Sequence, residues 1–263
     1  MNSSRKRPTL VNLKMKALLC PVMSLFCTGC VQADDAGPFV LNATADLYGK
    51  YIWRGQNLNN GTVFQPSVSL GLYGFTGTVW GSLDLTDENG HRGELTEVDV
   101  SLDYSTEIPD LKLVEVSAGA IHYQYPNTDF HSTSEIYAGV SLTCLLEPSA
   151  RIYYDVDEIN GAYLQLAVGH TIEKIVTFQE SYYGGCAFGL SIGYGSAGYN
   201  EGSFGVDENA FNDLTVFLSL PVHVKGLTIS PSISYSGMLV EEIRAATASS
   251  DNVWAGVSVT YDF

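Results

Sequence analysis

Acidic side chains recur at every second position in several stretches of the 263-residue chain. In the stretch "EVDVSLDYS", Glu97, Asp99 and Asp103 alternate with apolar residues that end at Tyr104. Successive side chains of an extended strand point to opposite faces, so the carboxylates share one face and Tyr104 lies on the other. Rings of such faces around a pore favour cations, which makes cation passage the first chemistry to consider.

Cations and large aromatic residues come together in the stretch "KYIWRGQNLNNG", residues 50 to 61. Cations are scarce elsewhere, because the whole chain has 13 Lys and Arg against 29 Asp and Glu. If residues 39 to 54 form one strand, Lys50 and Arg54 lie on its polar face, and Tyr51 and Trp53 lie on its apolar face. We expect the two aromatic rings to lie at a membrane–water interface, where amphipathic rings are enriched.

Catalytic and metal chemistry have little support in the sequence. His122, Asp129 and His131 fall in one loop and form the best candidate for a hydrolase constellation, but no GxSxG motif or other nucleophile signature accompanies them. The five histidines are scattered over loops and strand ends, so no metal site and no cofactor is predicted. A membrane-barrel hydrolase stays open as an alternative to a protein without enzymatic activity.

The N-terminus has the features of a secretory signal peptide. Five basic residues lie within residues 5 to 16, an apolar run covers 17 to 26, and Ala33 ends a small-residue cleavage sequence. This pattern predicts a signal peptide over residues 1 to 33, with either Met1 or Met15 as the start. The apolar run is shorter than the roughly 20 residues that a membrane-spanning helix needs. Lipidation of Cys30 in "CTGC" is the alternative to cleavage after Ala33.

Removal of the signal peptide would change the charge and the cysteine count. It would leave eight basic against 29 acidic residues, a net charge of −21. Binding of nucleic acid is therefore not expected, because contact with phosphates needs clustered Lys and Arg. Cys144 and Cys186 would be the remaining cysteines, and neither belongs to a CxxC motif. We expect two reduced thiols that are buried or face lipid.

Period-two alternation of apolar and polar residues continues through residues 34 to 263 and predicts an all-β domain. Connections between the segments are alternately short and long, as in an antiparallel up-and-down barrel that spans a membrane. The segment from 171 to 183 is too long for a short turn, and Pro231 falls inside a strand, so both conflict with the scheme. About twelve strands are predicted, at residues 39 to 54, 63 to 74, 77 to 86, 96 to 105, 112 to 121, 135 to 146, 150 to 157, 162 to 170, 185 to 195, 213 to 222, 227 to 237 and 253 to 263.

The last strand carries a localisation signal. In "VWAGVSVTYDF", apolar residues occupy every second position and end with Tyr261 and Phe263. This pattern resembles the terminal strand of Gram-negative outer-membrane proteins, which the barrel assembly machinery reads. It favours an outer-membrane barrel over a soluble periplasmic sandwich and predicts outer-membrane lipids and the assembly machinery as partners. Tyr104, Tyr261 and Phe263 are expected at the periplasmic membrane interface.

Several blocks in the first half of the chain resemble, in order, those of the TorF-type porin family of Gram-negative bacteria. The blocks are "YGKYIWRGQ", "TVWGSLD", "ELTEVDVSLDY" and "HYQYPNTDFHSTSEIYAGV". Beyond them only the strand rhythm and an "FND" at residues 211 to 213 continue the similarity. The resemblance implies an outer-membrane barrel of the porin type, with no established substrate and no catalytic residue.

These observations predict a passive, cation-preferring diffusion channel for ions and small hydrophilic solutes. Arg54 is either a structural cation paired with Glu97 or Asp99, which the pattern favours, or part of a selectivity constriction. A non-conducting barrel whose loops bind a partner is the alternative function, and the oligomeric state is left open. The predicted pore-lining residues are Asp46, Lys50, Arg54, Asp84, Glu97, Asp99, Asp103, Glu115, Glu135, Arg151 and Asp155, with Asp157 counted among the acidic ones.

Overall fold

The computed structural model describes residues 39 to 263. The predicted signal peptide, its cleavage site and Cys30 lie outside the described residues. The elements in chain order are β1 (Phe39–Tyr48), β2 (Tyr51–Trp53), β3 (Gln56–Asn59), β4 (Val63–Leu72), β5 (Phe75–Asp84), β6 (Leu95–Ile108), β7 (Leu111–Gln124), β8 (Thr133–Leu142), β9 (Ser149–Asp155), β10 (Ala162–Gln179), β11 (Tyr182–Gly195), α1 (Ala197–Phe204), β12 (Ala210–Ser219), β13 (Val222–Val224), β14 (Leu227–Met238), α2 (Glu241–Ala246) and β15 (Asp251–Asp262).

Antiparallel pairing of neighbouring strands closes a barrel. The ladder runs from β1 through β4 to β11 and on to β15, and β15 pairs with β1. β12 and β13 are two pieces of one wall strand, because both lie between β11 and β14. With β2 and β3 left out of the wall, the barrel has twelve strands. The predicted fold class and the approximate strand count are confirmed.

The two faces of the wall have opposite chemistry. Apolar residues point outward, for example Val68 at 52% exposure and Ile233 at 51%, whereas Ser82, Asp155 and Ser236 are fully buried in the interior. A soluble β-sandwich would show the reverse arrangement, with its apolar face inside. An apolar outer surface around a polar interior is the arrangement of a transmembrane barrel.

The two features that conflicted with the predicted scheme are both accommodated. β10 and β11 extend past the segment predicted as an overlong turn, so that residues 180 and 181 alone connect them. Pro231 lies beside the break between β12 and β13, where its carbonyl accepts a hydrogen bond of 3.0 Å from the Leu220 N–H. The N–H that proline lacks therefore faces an interruption in the neighbouring strand and costs the ladder little.

Long and short connections separate to the two ends of the barrel. One end carries the connections 85 to 94, 125 to 132, 156 to 161, 196 to 209 and 239 to 250, and the other carries turns such as 73 to 74, 109 to 110 and 180 to 181. The two short helices lie in the last two long connections. No helix among residues 39 to 263 is long and apolar enough to cross a membrane. A cluster of buried, mostly aromatic residues, which includes Trp53, Tyr123, Tyr163 and Tyr199, lies in the interior near the long-loop end.

Candidate functional site

A short hairpin leaves the wall and folds into the barrel. β1 ends at Tyr48, although the Gly49 N–H still donates to the Ala255 carbonyl at 2.9 Å. β2 and β3 then pair with each other in a separate two-stranded sheet. Arg54 and Gly55 have φ angles of 43° and 78°, which is the pattern of a two-residue type I′ turn. The predicted continuation of the first strand to residue 54 is therefore wrong.

The inward fold also changes the environment of the two aromatic residues expected at a membrane interface. Tyr51 and Trp53 are 5% and 1% exposed and lie inside the barrel. The Tyr51 hydroxyl donates to the Glu97 carboxylate at 3.0 Å, and its ring centroid lies 5.8 Å from that of Trp80. Their placement at the membrane–water boundary was wrong, because the period-two extrapolation assumed a strand that stays in the wall.

Arg54 at the tip of the hairpin reaches the far wall of the barrel. Its two terminal nitrogens donate to the two carboxylate oxygens of Glu135, each at 2.8 Å. The guanidinium carbon also lies 4.4, 4.5 and 4.3 Å from the ring centroids of Trp53, Tyr153 and Tyr163. Pairing with a wall carboxylate agrees with the favoured prediction in kind, but the partner is Glu135 on β8. Glu97 instead accepts a hydrogen bond from Tyr51.

Side chains around this ion pair hold both partners in place. The Tyr123 hydroxyl donates to Glu135 at 2.8 Å, and the Tyr163 hydroxyl donates to Asp213 at 2.7 Å. Tyr199, on α1, lies 5.6 Å from the Arg54 guanidinium. Burial raises the pKa of Tyr199 to about 12, so its ring stays neutral beside the cation.

Gly55 is required where the hairpin approaches the wall. A Cβ atom at this position would lie 2.6 Å from Cβ of Asp213 and 2.8 Å from Sδ of Met238. The positive φ of 78° independently favours glycine. The hairpin tip thus spans from Glu135 on β8 to Asp213 on β12 and crosses the interior.

Apart from Asp157, the predicted lining residues lie inside the barrel, at two levels of burial. Lys50 lies at the base of the hairpin, where its ammonium donates to Asn252 at 3.3 Å. Asp157 is an exception among the acidic residues that were counted, because it lies exposed in the 156 to 161 loop. The buried members are Arg54, Asp84, Glu97, Asp99, Glu135 and Asp155, and the half-buried members are Asp46, Lys50, Asp103, Glu115 and Arg151.

Asp155 has a structural environment. One of its oxygens accepts the Thr133 hydroxyl at 2.6 Å, and the other accepts the backbone N–H of Ile159 at 2.7 Å and of Asp157 at 3.1 Å. These bonds close the 156 to 161 loop over the barrel rim. The carboxylate therefore holds the loop in place. The alternating sequence pattern does not reveal this role.

A second cluster of a cation, a ring and a carboxylate lies on the interior wall. The Tyr137 hydroxyl donates to Asp103 at 2.5 Å, and the Arg151 guanidinium lies 4.9 Å from the Tyr137 ring centroid. Asp103 and Arg151 are both half-buried, unlike the residues around Arg54. This part of the interior is therefore more accessible than the part under the hairpin.

Three aromatic residues expected at the membrane boundary lie on the outer face near the short turns. Tyr104, Tyr261 and Phe263 are 41%, 46% and 75% exposed. Tyr104 packs against Phe75 with ring centroids 4.7 Å apart, and Tyr261 packs edge-on against Phe263 at 4.8 Å. Their role at a membrane interface stays a prediction.

The histidines and cysteines have separate environments. His122 Nδ1 lies 3.0 Å from the Ser134 hydroxyl, whereas His131 Nδ1 lies 3.5 Å from a Glu158 carboxylate oxygen. Within residues 39 to 263 no group of three or more His, Cys, Asp or Glu is placed to hold a metal ion. Cys144 and Cys186 are both free thiols. Cys144 is exposed in the connection after β8, so its predicted place as a buried or lipid-facing residue of a strand is wrong, and Cys186 is half-buried on β11.

Two elements of the site were missed from the sequence although each has a local signal. The hairpin could have been read from Gly55 in a short turn followed by the polar run "QNLNNG". The α1 helix could have been read from its end residues, since Ser196 accepts the Tyr199 N–H at 3.3 Å and Gly205 closes it with a φ of 72°. The strand rhythm around both segments concealed these signals.

Comparisons with known proteins give similarities in shape alone. No protein-family model matches the sequence, and no curated protein matches it, so the TorF-type resemblance stays a prediction. The NanC porin is similar at 12% identity and a TM-score of 0.47, over 85% of this chain and 100% of that one. An outer membrane channel from Pseudomonas putida F1 is similar at 7% identity and a TM-score of 0.47, over 89% and 98%. DcaP, an outer membrane channel of Acinetobacter baumannii, is similar at 8% identity and a TM-score of 0.38, over 86% and 96%. No functional residue is transferred from them.

Proposed function

We propose that this chain is a non-catalytic outer-membrane channel that passes small hydrophilic cations and is restricted by the hairpin of residues 49 to 61. The observation that carries the proposal is the contrast between its two faces. Apolar side chains cover the outside, and inward-facing carboxylates outnumber inward-facing cations. A polar, acidic interior within an apolar barrel suits the passage of cations.

The acidic excess persists after the ion pairs are taken into account. The Arg54 guanidinium neutralises Glu135, and Arg151 lies beside the Tyr137 hydroxyl that is bonded to Asp103. The inward carboxylates outside these two clusters include Asp46, Asp99 and Glu115. In a low-dielectric wall, such charges concentrate counter-ions near the interior. Cations are therefore the favoured solutes.

The hairpin sets the expected size of the current. It crosses the interior at the long-loop end and is bonded to the wall at Glu97, Glu135 and Asn252. The wild-type channel should therefore conduct weakly, and removal of the hairpin should enlarge the current.

Single-channel conductance in planar bilayers tests the proposal with one deletion. Tyr48 and Val63 are paired across the ladder, so deletion of residues 50 to 61 leaves Gly49 and Thr62 as a two-residue turn between them, with glycine in its first position. We expect cation-selective steps from the wild type and larger steps from the deletion variant. Arg244→Ala, which removes an exposed ion pair to Asp251 at the same end, is the control and should conduct like the wild type.

A barrel that binds a partner through its loops is the second candidate, and the hairpin is the observation that favours it. If the buried hairpin keeps the interior closed, the barrel passes no solute. The long loops are then the surface that a partner would contact. Absence of conductance from both the wild type and the deletion variant, with both shown to be folded, would make this the leading function.

A further inference from the structure

Arg54 lies in an aromatic cage, most of which belongs to the barrel and not to the hairpin. Its carboxylate is Glu135 on β8, and its rings are Tyr153 on β9, Tyr163 on β10 and Tyr199 on α1. Glu135 is 1% exposed, and the three rings are at most 6% exposed. Every one of these groups belongs to the wall or to a long connection. The barrel therefore builds these four groups of the cage, and the hairpin supplies the occupant and one further ring, that of Trp53, at 4.4 Å from the guanidinium carbon.

The chemistry of the cage selects one kind of ligand. Two parallel hydrogen bonds of 2.8 Å to one carboxylate require a planar fork of donors, as in a guanidinium group. The rings of Tyr153 and Tyr163, at 4.5 and 4.3 Å from the guanidinium carbon, present their faces to the cation. An ammonium ion could use the rings but could not form the bidentate pair. The cage thus matches a guanidinium better than an ammonium ion.

The present occupant is carried on an element that is separable from the wall. β2 and β3 pair with each other and lie outside the barrel sheet. Arg54 itself has a φ of 43°, a left-handed conformation that is unfavourable for a residue other than glycine. The contacts made in the cage offset this cost. An external guanidinium could make the same contacts without the strained turn.

We propose that the cage of Glu135, Tyr153, Tyr163 and Tyr199 is a binding site for solutes that carry a guanidinium group, and that Arg54 fills it as an internal ligand when the hairpin is docked. The inference deepens the proposed function and rests on it for the route by which solute reaches the cage. Binding of a free guanidinium compound and docking of the hairpin tip are mutually exclusive, so the solute competes with Arg54. The apparent affinity of the wild type for the solute is the intrinsic affinity multiplied by the small fraction of molecules whose cage is empty.

Thermal unfolding of the purified, detergent-folded full chain tests the site, with methylguanidinium as the probe and methylammonium at equal concentration as the ionic control. Arg54→Gly empties the cage and keeps the turn, because Gly-Gly is suited to a type I′ turn. We expect methylguanidinium to raise the unfolding midpoint of this variant at a concentration at least about tenfold lower than in the wild type. Methylammonium should have a much smaller effect.

Two further variants separate the cage from general effects of charge. Adding Glu135→Gln to Arg54→Gly should abolish the response to methylguanidinium, since the carboxylate is lost. Arg244→Ala leaves the exposed Asp251 carboxylate without its cation. This variant should not gain a response to methylguanidinium. Should Arg54→Gly fail to fold, Arg54→Lys keeps the positive charge without the bidentate fork, and methylguanidinium should stabilise it more than the wild type.

The result that overturns the proposal is equal stabilisation of Arg54→Gly by methylguanidinium and methylammonium, or for Arg54→Lys a response equal to that of the wild type. Because this measurement needs no current, it is independent of the conductance test. Stabilisation without conductance would leave the cage in place and remove the channel. Conductance without stabilisation by methylguanidinium would support the channel and overturn the cage.

Discussion

The guanidinium of Arg54 and the carboxylate of Glu135 form two hydrogen bonds of 2.8 Å across 81 positions of the chain. Both side chains are at least 95% buried, so the pair lies in the closed interior of the barrel. It connects the tip of an inward hairpin to a wall strand roughly opposite the one from which the hairpin departs. The pair therefore fixes the hairpin tip to the wall inside the barrel.

Breaking this ion pair on one side should be costly. Glu135→Gln leaves the Arg54 cation buried without a carboxylate, and loss of one partner of a buried pair typically costs about 3–5 kcal/mol of unfolding free energy. Urea unfolding in detergent, followed by tryptophan fluorescence, measures the change. Arg244→Ala removes an exposed pair and should have little effect. Equal losses in the two variants would contradict the buried role of the Arg54–Glu135 pair.

A single added methyl group should disturb the exit of the hairpin from the wall. A Cβ at Gly256 would lie 2.0 Å from the Tyr48 ring, whereas a Cβ at Gly77 would meet nothing within 4 Å. Gly256→Ala should lower the unfolding free energy by about 1–3 kcal/mol, the usual cost of overpacking, and Gly77→Ala should not. Urea unfolding compares the two alanines. Tyr48→Ala should recover part of the loss, and no recovery would argue against this contact.

Charge selectivity should depend on the half-buried carboxylates inside the barrel. Asp46→Asn combined with Glu115→Gln removes two inward negative charges and should shift the reversal potential in a salt gradient towards weaker cation preference. Glu180→Gln, in an exposed turn, is the matched control and should leave the potential unchanged. Anion preference in the wild type would overturn the proposed selectivity.

The two cysteines should behave as independent thiols. Cys144 is exposed in the connection after β8, and Cys186 is partly buried on β11. We expect maleimide to label Cys144 readily and Cys186 more slowly, with no change in gel mobility on reduction. A reduction-dependent shift of the monomer would contradict the observed strand order, because a disulfide needs Cα atoms within about 7 Å.

The proposed location predicts a characteristic gel behaviour. A closed ladder leaves no free edge, so the folded barrel should resist detergent and migrate differently before and after boiling. The protein should also be recovered with the outer membrane on cell fractionation. Recovery as a soluble periplasmic protein would remove the membrane assignment.

The wall of the barrel could be predicted from local patterns in the chain. Alternation in stretches such as "EVDVSLDYS" places Glu97 and Asp99 inside and Val100 outside, and the structure shows this arrangement. The reason is local, because the side-chain period of a strand is two and a slip of one residue would put every charge on the apolar face. The alternation of short and long connections likewise predicted the antiparallel order of the strands. Each of these features can be read from a few neighbouring residues.

The contents of the barrel interior depend on contacts between distant segments and could not be predicted locally. The same alternation rule placed Tyr51 and Trp53 on the outside, but a turn at Arg54 and Gly55 carries both into the interior. The partner of Arg54 depends on which strand lies across the lumen, and that strand carries Glu135, 81 positions away. Contacts across a closed barrel depend on its circumference and on strand register, which are properties of all twelve strands together and of no single segment.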